Sequence, residues 1–407
     1  MKKLLAVLLA SMMMLTACTK KNDSKPADDM GQDANTKVTL KVWASQDDQE
    51  MTQKMVDAFI EAHPEKQWDI TLAVVGEPDA KTKYLEDPAV AADVFAFAND
   101  QLNDLVSAGA LYKVTRNADD IKARNSAGSV GAASKDDQLY AYPMTADNGY
   151  FMFYDKSVFT EEDVLSLDVM LEKAAASNKK VLMDLSNGWY IASFFLGNGG
   201  KLSISPENTQ ACDFNNEKGV QAGEAIKNFA AHSAFTTGDD SVLVAGFENG
   251  EIAAAVTGTW NAEKIQTALK DNYAATKLPS YTTTDGLVQL SSFAGYKQLG
   301  INSQTKFPVE AMDLADWLTN EQNQVLRFET KGYGPSNLNA SQSDAVQANV
   351  ALAALALQSQ FAVSQNDVLG SYWGPAEAFG AAMEAKDYSK TVQELLDEMV
   401  AQITAAK

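Results

Sequence analysis

Asp93-Val94-Phe95-Ala96-Phe97-Ala98-Asn99-Asp100-Gln101 is an apolar run closed by three polar side chains. Residues 93–97 read as a short apolar strand, and residues 102–108, stopped by Gly109, as the helix that follows. The polar cluster therefore stands at the carboxyl end of a strand. In an open α/β sheet, that is where ligands bind.

The same alternation runs outward in both directions. Residues 38–43 alternate with period two, as a strand does, and residues 49–63 place Met51, Met55, Phe59 and Ile60 on one helical face. Residues 70–75 and 139–143 read as further strands. A second set begins with a strand at 150–154 and a helix at 161–176, for which Thr160 is the N-cap with Asp163 three residues on. A strand at 181–185, a helix at 216–232 and a short helix through Phe247 follow. Gly250 ends that helix, residues 252–257 form a strand, Gly258 turns the chain before Trp260, and the next helix starts at Ile265. Later helices are predicted at 308–319, 320–330, 341–358 and 389–405. Strands alternating with helices predict an α/β fold with parallel sheets covered by helices. The body after residue 36 is long enough for two domains.

The beginning of the chain reads differently. Lys2 and Lys3 precede an apolar run over 4–14, and Leu15-Thr16-Ala17-Cys18 closes it. That is the pattern of a secretory signal over residues 1–17, too short to span a bilayer, which needs roughly 20 apolar residues. With cysteine first after the cut, it resembles the lipobox of bacterial lipoproteins, which implies lipid on Cys18. Residues 18–36 are polar and aperiodic, and read as a flexible tether between membrane and body.

Composition narrows the partners. The formal charge is -21, which argues against nucleic acid and against direct adhesion to anionic lipid. The chain has two cysteines and two histidines. With Cys18 lipidated, Cys212 stands alone and reads as a small half-buried residue. His63 and His232 read as helix-end residues. This inventory supports neither a zinc site of ordinary spacing nor a nucleophile–histidine triad, so no metal or other cofactor is expected.

The strand ends carry the chemistry. Ser45, Gln46, Asp47 and Asp48 follow the first strand, Glu77 and Asp79 the second, and Asn99, Asp100 and Gln101 the third. Asp147 follows residues 139–143, Asn187, Trp189 and Tyr190 follow 181–185, and Trp260 follows 252–257, while Tyr372 and Trp373 lie near the last crossover. Carboxylates and amides bond vicinal hydroxyls, and flat aromatic rings cover the C–H face of a pyranose, so the combination suits carbohydrate. Asp47 and Asp48 could equally cap the first helix, and Asp100 the helix from Leu102. Trp43 and Trp317 read as core, Trp68 has no evident role, and Trp260 and Trp373 stand beside glycines in turn-like segments. The Ala-rich run at 350–357 reads as a buried or domain-facing helix. No Gly-rich phosphate loop or basic cluster is present.

At these residues the chain resembles the extracellular solute-binding proteins of sugar-importing ABC transporters. More narrowly, it resembles the maltose and maltodextrin-binding proteins of the lipid-anchored Gram-positive type. The carriers are residues 93–101, Gln138-Leu139-Tyr140-Ala141-Tyr142-Pro143 with Asp147, Phe247-Glu248-Asn249-Gly250 with Gly258-Thr259-Trp260, Ser292-Phe293-Ala294-Gly295-Tyr296-Lys297, Leu318-Thr319-Asn320-Glu321, and Tyr372-Trp373. The resemblance implies a two-lobed periplasmic-binding-protein-like fold with a ligand cleft and three interlobe crossings, near 145–148, 291–296 and 332–336. Lobe I would then hold 37–146 plus 296–332, and lobe II 147–295 plus 333–407. Asp100 takes the place of an aspartate that bonds sugar hydroxyls, Asp147 that of an acidic hinge residue, and Trp260 and Trp373 those of stacking tryptophans. The expected ligand-binding set is Asp48, Glu77, Phe97, Asn99, Asp100, Gln101, Asp147, Trp189, Trp260, Tyr372 and Trp373. Gln101 replaces a family arginine, Phe97 a tryptophan, Gly374 a tyrosine, and Asn187-Gly188-Trp189 a Glu-Pro-Tyr segment, so the cargo need not be maltose.

The resulting expectation is a monomeric, non-enzymatic, membrane-anchored binding protein on the outer face of the cytoplasmic membrane. It captures an oligosaccharide, of α-1,4-glucan type, by lobe closure and delivers it to a permease. One alternative keeps the scaffold and changes the cargo to another oligosaccharide or a polyol. A rival from another class is a glycoside hydrolase pairing Asp100 with Asp147, which requires carboxyls about 5–10 Å apart across a scissile bond.

Overall fold

A computed structural model describes residues 37–205 and 209–405; the signal segment, Cys18 and the tether lie outside the described residues. Among the described residues no helix is long and apolar enough to cross a membrane.

The first sheet starts with β1 (Lys37–Ala44), β2 (Gln67–Val74) and β3 (Val94–Ala98), all parallel, with β1 between the other two. Its next strand, β4 (Ala141–Asn148), continues well past the predicted end at 143. The second sheet holds β5 (Phe151–Asp155), β6 (Lys180–Leu182), β7 (Phe235–Thr236), β8 (Ile252–Thr257) and β9 (Tyr273–Thr276), in the order β7-β6-β8-β5-β9. Every residue of β5 and β8 is buried, as in a sheet covered on both faces. The chain then returns through β10 (Ser292–Ile301) to the first sheet, and β11 (Ala362–Ser364) pairs with the start of β10.

Both sheets are mixed, where parallel sheets were predicted. β10 runs antiparallel to β3 and to β4, and β5 runs antiparallel to β8 and β9. The cause is connectivity. β10 enters the first sheet from the second and so meets β3 from the opposite end. Its ten residues show no clean alternation, being mostly buried, and it was not predicted as a strand.

Three segments lie side by side where the two sheets meet. Gly295 of β10 stands opposite Asn148 of β4, and Thr145 of β4 bridges Pro335. The Ala146 N–H donates to the Gly334 carbonyl at 2.9 Å. These are the segments at which the resemblance implied three crossings.

Separate apolar cores lie under the two sheets. One gathers Phe59, Phe95, Phe97, Tyr142 and Leu299; the other gathers Tyr150, Phe194, Ile226, Tyr372 and Leu396. A third, on the other face of the second sheet, includes Phe151, Phe153, Phe247, Ala351 and Ala354. Trp43 is buried in the first core. The Trp317 and Trp68 indoles are held by the Met55 and His63 carbonyls at 3.0 and 2.7 Å. Cys212 is half-buried, and its thiol is pushed up to about 12 by burial.

Several helical expectations change. The helix predicted at 161–176 begins at Leu167, capped by Ser166. Thr160 and Asp163 do exchange reciprocal bonds, but around a short turn, with the Thr160 N–H 2.8 Å from Asp163 Oδ2. The stretch 341–358 holds two short helices, Asp344–Gln347 and Val350–Ser359, after a third at Leu338–Ser341, each with its own cap in Ser343, Asn349 or Asn337. Five helices were missed, the short Ala80–Glu86, Ala118–Arg124 and Ala127–Ala132 and two longer ones. Gly188–Gly197 is apolar on nearly every face and so lacks a helical period. Trp373–Glu384 carries Gly374 and Pro375 in its first turn, where proline is tolerated, and these had read as a loop.

Candidate functional site

A cleft of about 710 Å³ opens between the carboxyl ends of the two sheets. One wall comes from the loops after β1, β2 and β3: Ser45, Gln46 and Asp47; Gly76, Glu77 and Pro78; then Ala98, Asp100 and Gln101. The facing wall holds Asn187, Trp189, Tyr190, Asp240, Trp260, Trp373 and Glu377. Asn148, Lys297, Tyr333 and Gln365, on or beside the crossing segments, complete the lining. The volume lies within the range of small-molecule sites.

Six expected residues line this cleft: Glu77, Asp100, Gln101, Trp189, Trp260 and Trp373. Asp100 occupies the short 3-10 turn Asn99–Gln101 after β3. Burial pushes its carboxyl up to about 7, against the opposing pull of Lys81. Its Oδ1 is buried and has no hydrogen-bond partner among the described residues. A buried acceptor left unpaired costs free energy until a donor arrives. Gln101 has a different task. Its side chain accepts from the Lys81 N–H at 2.8 Å and donates to the Glu77 carbonyl at 2.7 Å, which pins the neighbouring loop.

The aromatic wall is built from locked rings. Trp189 and Trp260 lie 5.9 Å apart between centroids and are tilted by 38°. Gly258 makes room for Trp260, since a Cβ at that position would fall 1.9 Å from its ring. The Trp260 indole donates to Asp240 Oδ2 at 3.0 Å, and Asn261 Nδ2 donates to Asp240 Oδ1 at 2.7 Å. The Trp189 indole donates to Gln365 Oε1 at 2.9 Å. Trp373 packs edge-on against Tyr372 and Phe293.

The other five expected residues do not reach the cleft lining, and each has another place. Phe97 is core, because its ring covers Gly300 on the neighbouring strand. Tyr372 is fully buried; its hydroxyl donates to the Gly188 carbonyl at 2.9 Å and its ring backs Trp373. Asn99 donates to Asn366 and accepts the Tyr296 N–H at 2.8 Å, a clasp next to the crossings. Asp147 Oδ2 accepts the Gly334 N–H at 2.6 Å and the Thr259 hydroxyl at 2.9 Å, at the hinge. Asp48 is buried at the helix start without making a side-chain cap bond, and its Oδ1 has no partner among the described residues. The proposed Asp100–Asp147 pair is therefore not assembled inside the cleft.

Lys297, Tyr333, Asp240 and Gln365 were not predicted. Lys297 Nζ stands 3.6 Å from Glu77 Oε1, over the rings of Tyr333 and Trp260 at 5.4 and 6.0 Å. Burial works against its charge, but Glu77, Asp147 and Asp48 outweigh that and hold it above the usual lysine range. Its register slips on both sides of the pairing with Thr145, as at a bulge, a device that re-aims a side chain. Asp240 had a visible signal, an acidic residue opening the helix just before the Trp260 strand. Gln365 had none.

Residues 54–354 match the profile described as bacterial extracellular solute-binding protein. The galactooligosaccharide-binding protein of Bacillus subtilis (strain 168) is 27% identical over 359 residues, covering 83% of each chain. A solved structure with acarbose is 30% identical, with a TM-score of 0.84, covering 91% of this chain and 99% of the other. The maltodextrin-binding protein of L. casei BL23, solved without ligand, is 24% identical with a TM-score of 0.77, covering 91% of this chain and all of its own (100%), a likeness of fold. With three quarters of its length inside that profile, the chain belongs to the bacterial extracellular solute-binding protein family.

Proposed function

We propose that the cleft captures an oligosaccharide and delivers it to an ABC importer, with an α-1,4-glucan as the first cargo to test. One observation carries this reading: a wall with an unpaired buried acceptor on Asp100 faces a wall of three fixed tryptophans across the crossing segments. Hydroxyl donors would satisfy Asp100, and Trp189, Trp260 and Trp373 would cover the apolar faces of the rings. Lobe I (37–146 plus 296–332) and lobe II (147–295 plus 333–407) would close over the sugar about the hinge that Asp147 staples. The family is one of solute-binding proteins, and we read the site as binding without turnover. Cys18 would carry the lipid that keeps a monomeric body at the outer face of the membrane.

A second cargo is supported by the Bacillus subtilis relative, named for galactooligosaccharide. Calorimetric titration of the body from Thr19 onward with maltotriose, maltotetraose, galactooligosaccharides and xylo-oligosaccharides separates the two. Saturable binding of the glucans alone supports the first reading. Binding of galactooligosaccharides alone keeps the family and replaces the cargo. Silence from all of them overturns the carbohydrate reading, and shortening of the bound sugar on long incubation overturns binding without turnover.

A further inference from the structure

We propose that Gln365 is a positioning residue that joins Asp100 on one wall of the cleft to Trp189 on the other. The inference rests on the carbohydrate reading for what the two walls do, but not for whether they are joined. An indole nitrogen only donates, and an ionised carboxylate only accepts. A side chain between them must do both, which an amide does. Gln365 Oε1 takes the Trp189 indole N–H at 2.9 Å, which leaves the amide N–H groups for the carboxyl of Asp100, a neighbour in the same cleft lining.

The position is built for this. Gln365 is 4% exposed, and its approach needs Gly295, where a Cβ would stand 3.1 Å from Gln365 Oε1. The next residue, Asn366, is held by the Asn99 side chain and, through its carbonyl, by Asn103 Nδ2 at 3.1 Å. The segment is thus clasped to the turn that carries Asp100. It adjoins Asp367, whose carbonyl accepts from Gln210 Nε2 at 3.2 Å. Asp100 Oδ1, without a hydrogen-bond partner among the described residues, remains open for a ligand hydroxyl. Ligand bonding on one wall would then be felt by the ring on the other.

The test reads the linkage without any sugar. Trp189 emission, taken as the difference between wild type and Trp189→Phe, is followed from pH 5 to 9. The charged groups facing Asp100 are Lys81 and Asp104, paired at 2.6 Å, with Glu77, Lys297 and Glu377 elsewhere on the cleft. A transition near neutral pH is expected, and Asp100→Asn should abolish it. Loss of a donor to a carboxylate raises its pKa, so Gln365→Met should move the midpoint up by about one unit. Gln365→Glu, close in shape, should move it further, because two adjacent carboxyls resist ionising together. A transition that survives Asp100→Asn, or a midpoint unmoved in both Gln365 variants, overturns the proposal. A linkage that behaves as expected in a protein blind to every sugar keeps this inference and counts against the cargo alone.

Discussion

The indole of Trp260 is tied to a carboxylate: its Nε1–H donates to Asp240 Oδ2 at 3.0 Å, across twenty residues of chain. The other oxygen of Asp240 holds Asn261, so one side chain sets both the ring and the turn that bears it. Hydrogen bonds to charged groups contribute about 1.5–3 kcal/mol. Asp240→Ala should therefore weaken oligosaccharide binding by about tenfold or more, with the change confined largely to affinity. Calorimetry beside thermal unfolding of the same variant checks this.

Gly258 should behave as part of the same unit. A methyl group there collides with the Trp260 ring, so Gly258→Ala must displace it. We expect Gly258→Ala and Trp260→Ala to lose similar affinity, and the double variant to lose little more than either. Additive losses in that cycle would mean that the glycine acts elsewhere.

Asp147 is predicted to matter for stability. Asp147→Ala leaves the Gly334 N–H and the Thr259 hydroxyl without their acceptor at a buried site. The cost should be about 1–3 kcal/mol for each group stranded. Urea unfolding reads that loss, and Asp147→Asn, which keeps an acceptor, should recover part of it.

Lys297 is one of two cations, with the buried Arg327, that face Glu77, Asp147 and Asp48. Breaking a buried pair strands the partner charge, at a cost of about 3–5 kcal/mol. Lys297→Met should be the most damaging of these substitutions to stability. Adding Glu77→Gln should restore part of the loss, and a double variant no better than the single would show that the pair is not the reason.

Asp100 sets a pH dependence of stability. Its folded value is raised from the ordinary 3.8 to about 7. The folded protein therefore holds a proton that the unfolded chain releases. The associated stabilisation is full below about pH 4 and is lost as pH rises through about 7. In Asp100→Asn that decline should vanish, and unfolding midpoints at pH 5 and 8 should draw together relative to wild type.

Much of this protein was set by local pattern. Alternation in β1, the heptad-like face of Gln49–Ala62, the strand Ile252–Thr257 and the polar tips after each strand all follow from nearest-neighbour chemistry, and together they dictate an α/β fold with its site at the strand ends. Glu77, Asp100, Trp189, Trp260 and Trp373 were legible for the same reason. What stayed hidden depends on segments far apart in sequence. Whether an apolar ring such as Phe97 or Tyr372 lines a cleft or backs a core turns on which strand or helix lies against it, here Gly300 and Gly188. Gln365 meets Trp189 across 176 residues, and Lys297 meets Glu77 from a strand far along the chain. Composition and periodicity decided that a ligand cleft would exist and what kind of groups would face it. Only the tertiary structure decided which side chains are free to bind and which are spent holding the others, because hydrogen-bond partners in a two-sheet fold are assigned by contact in space.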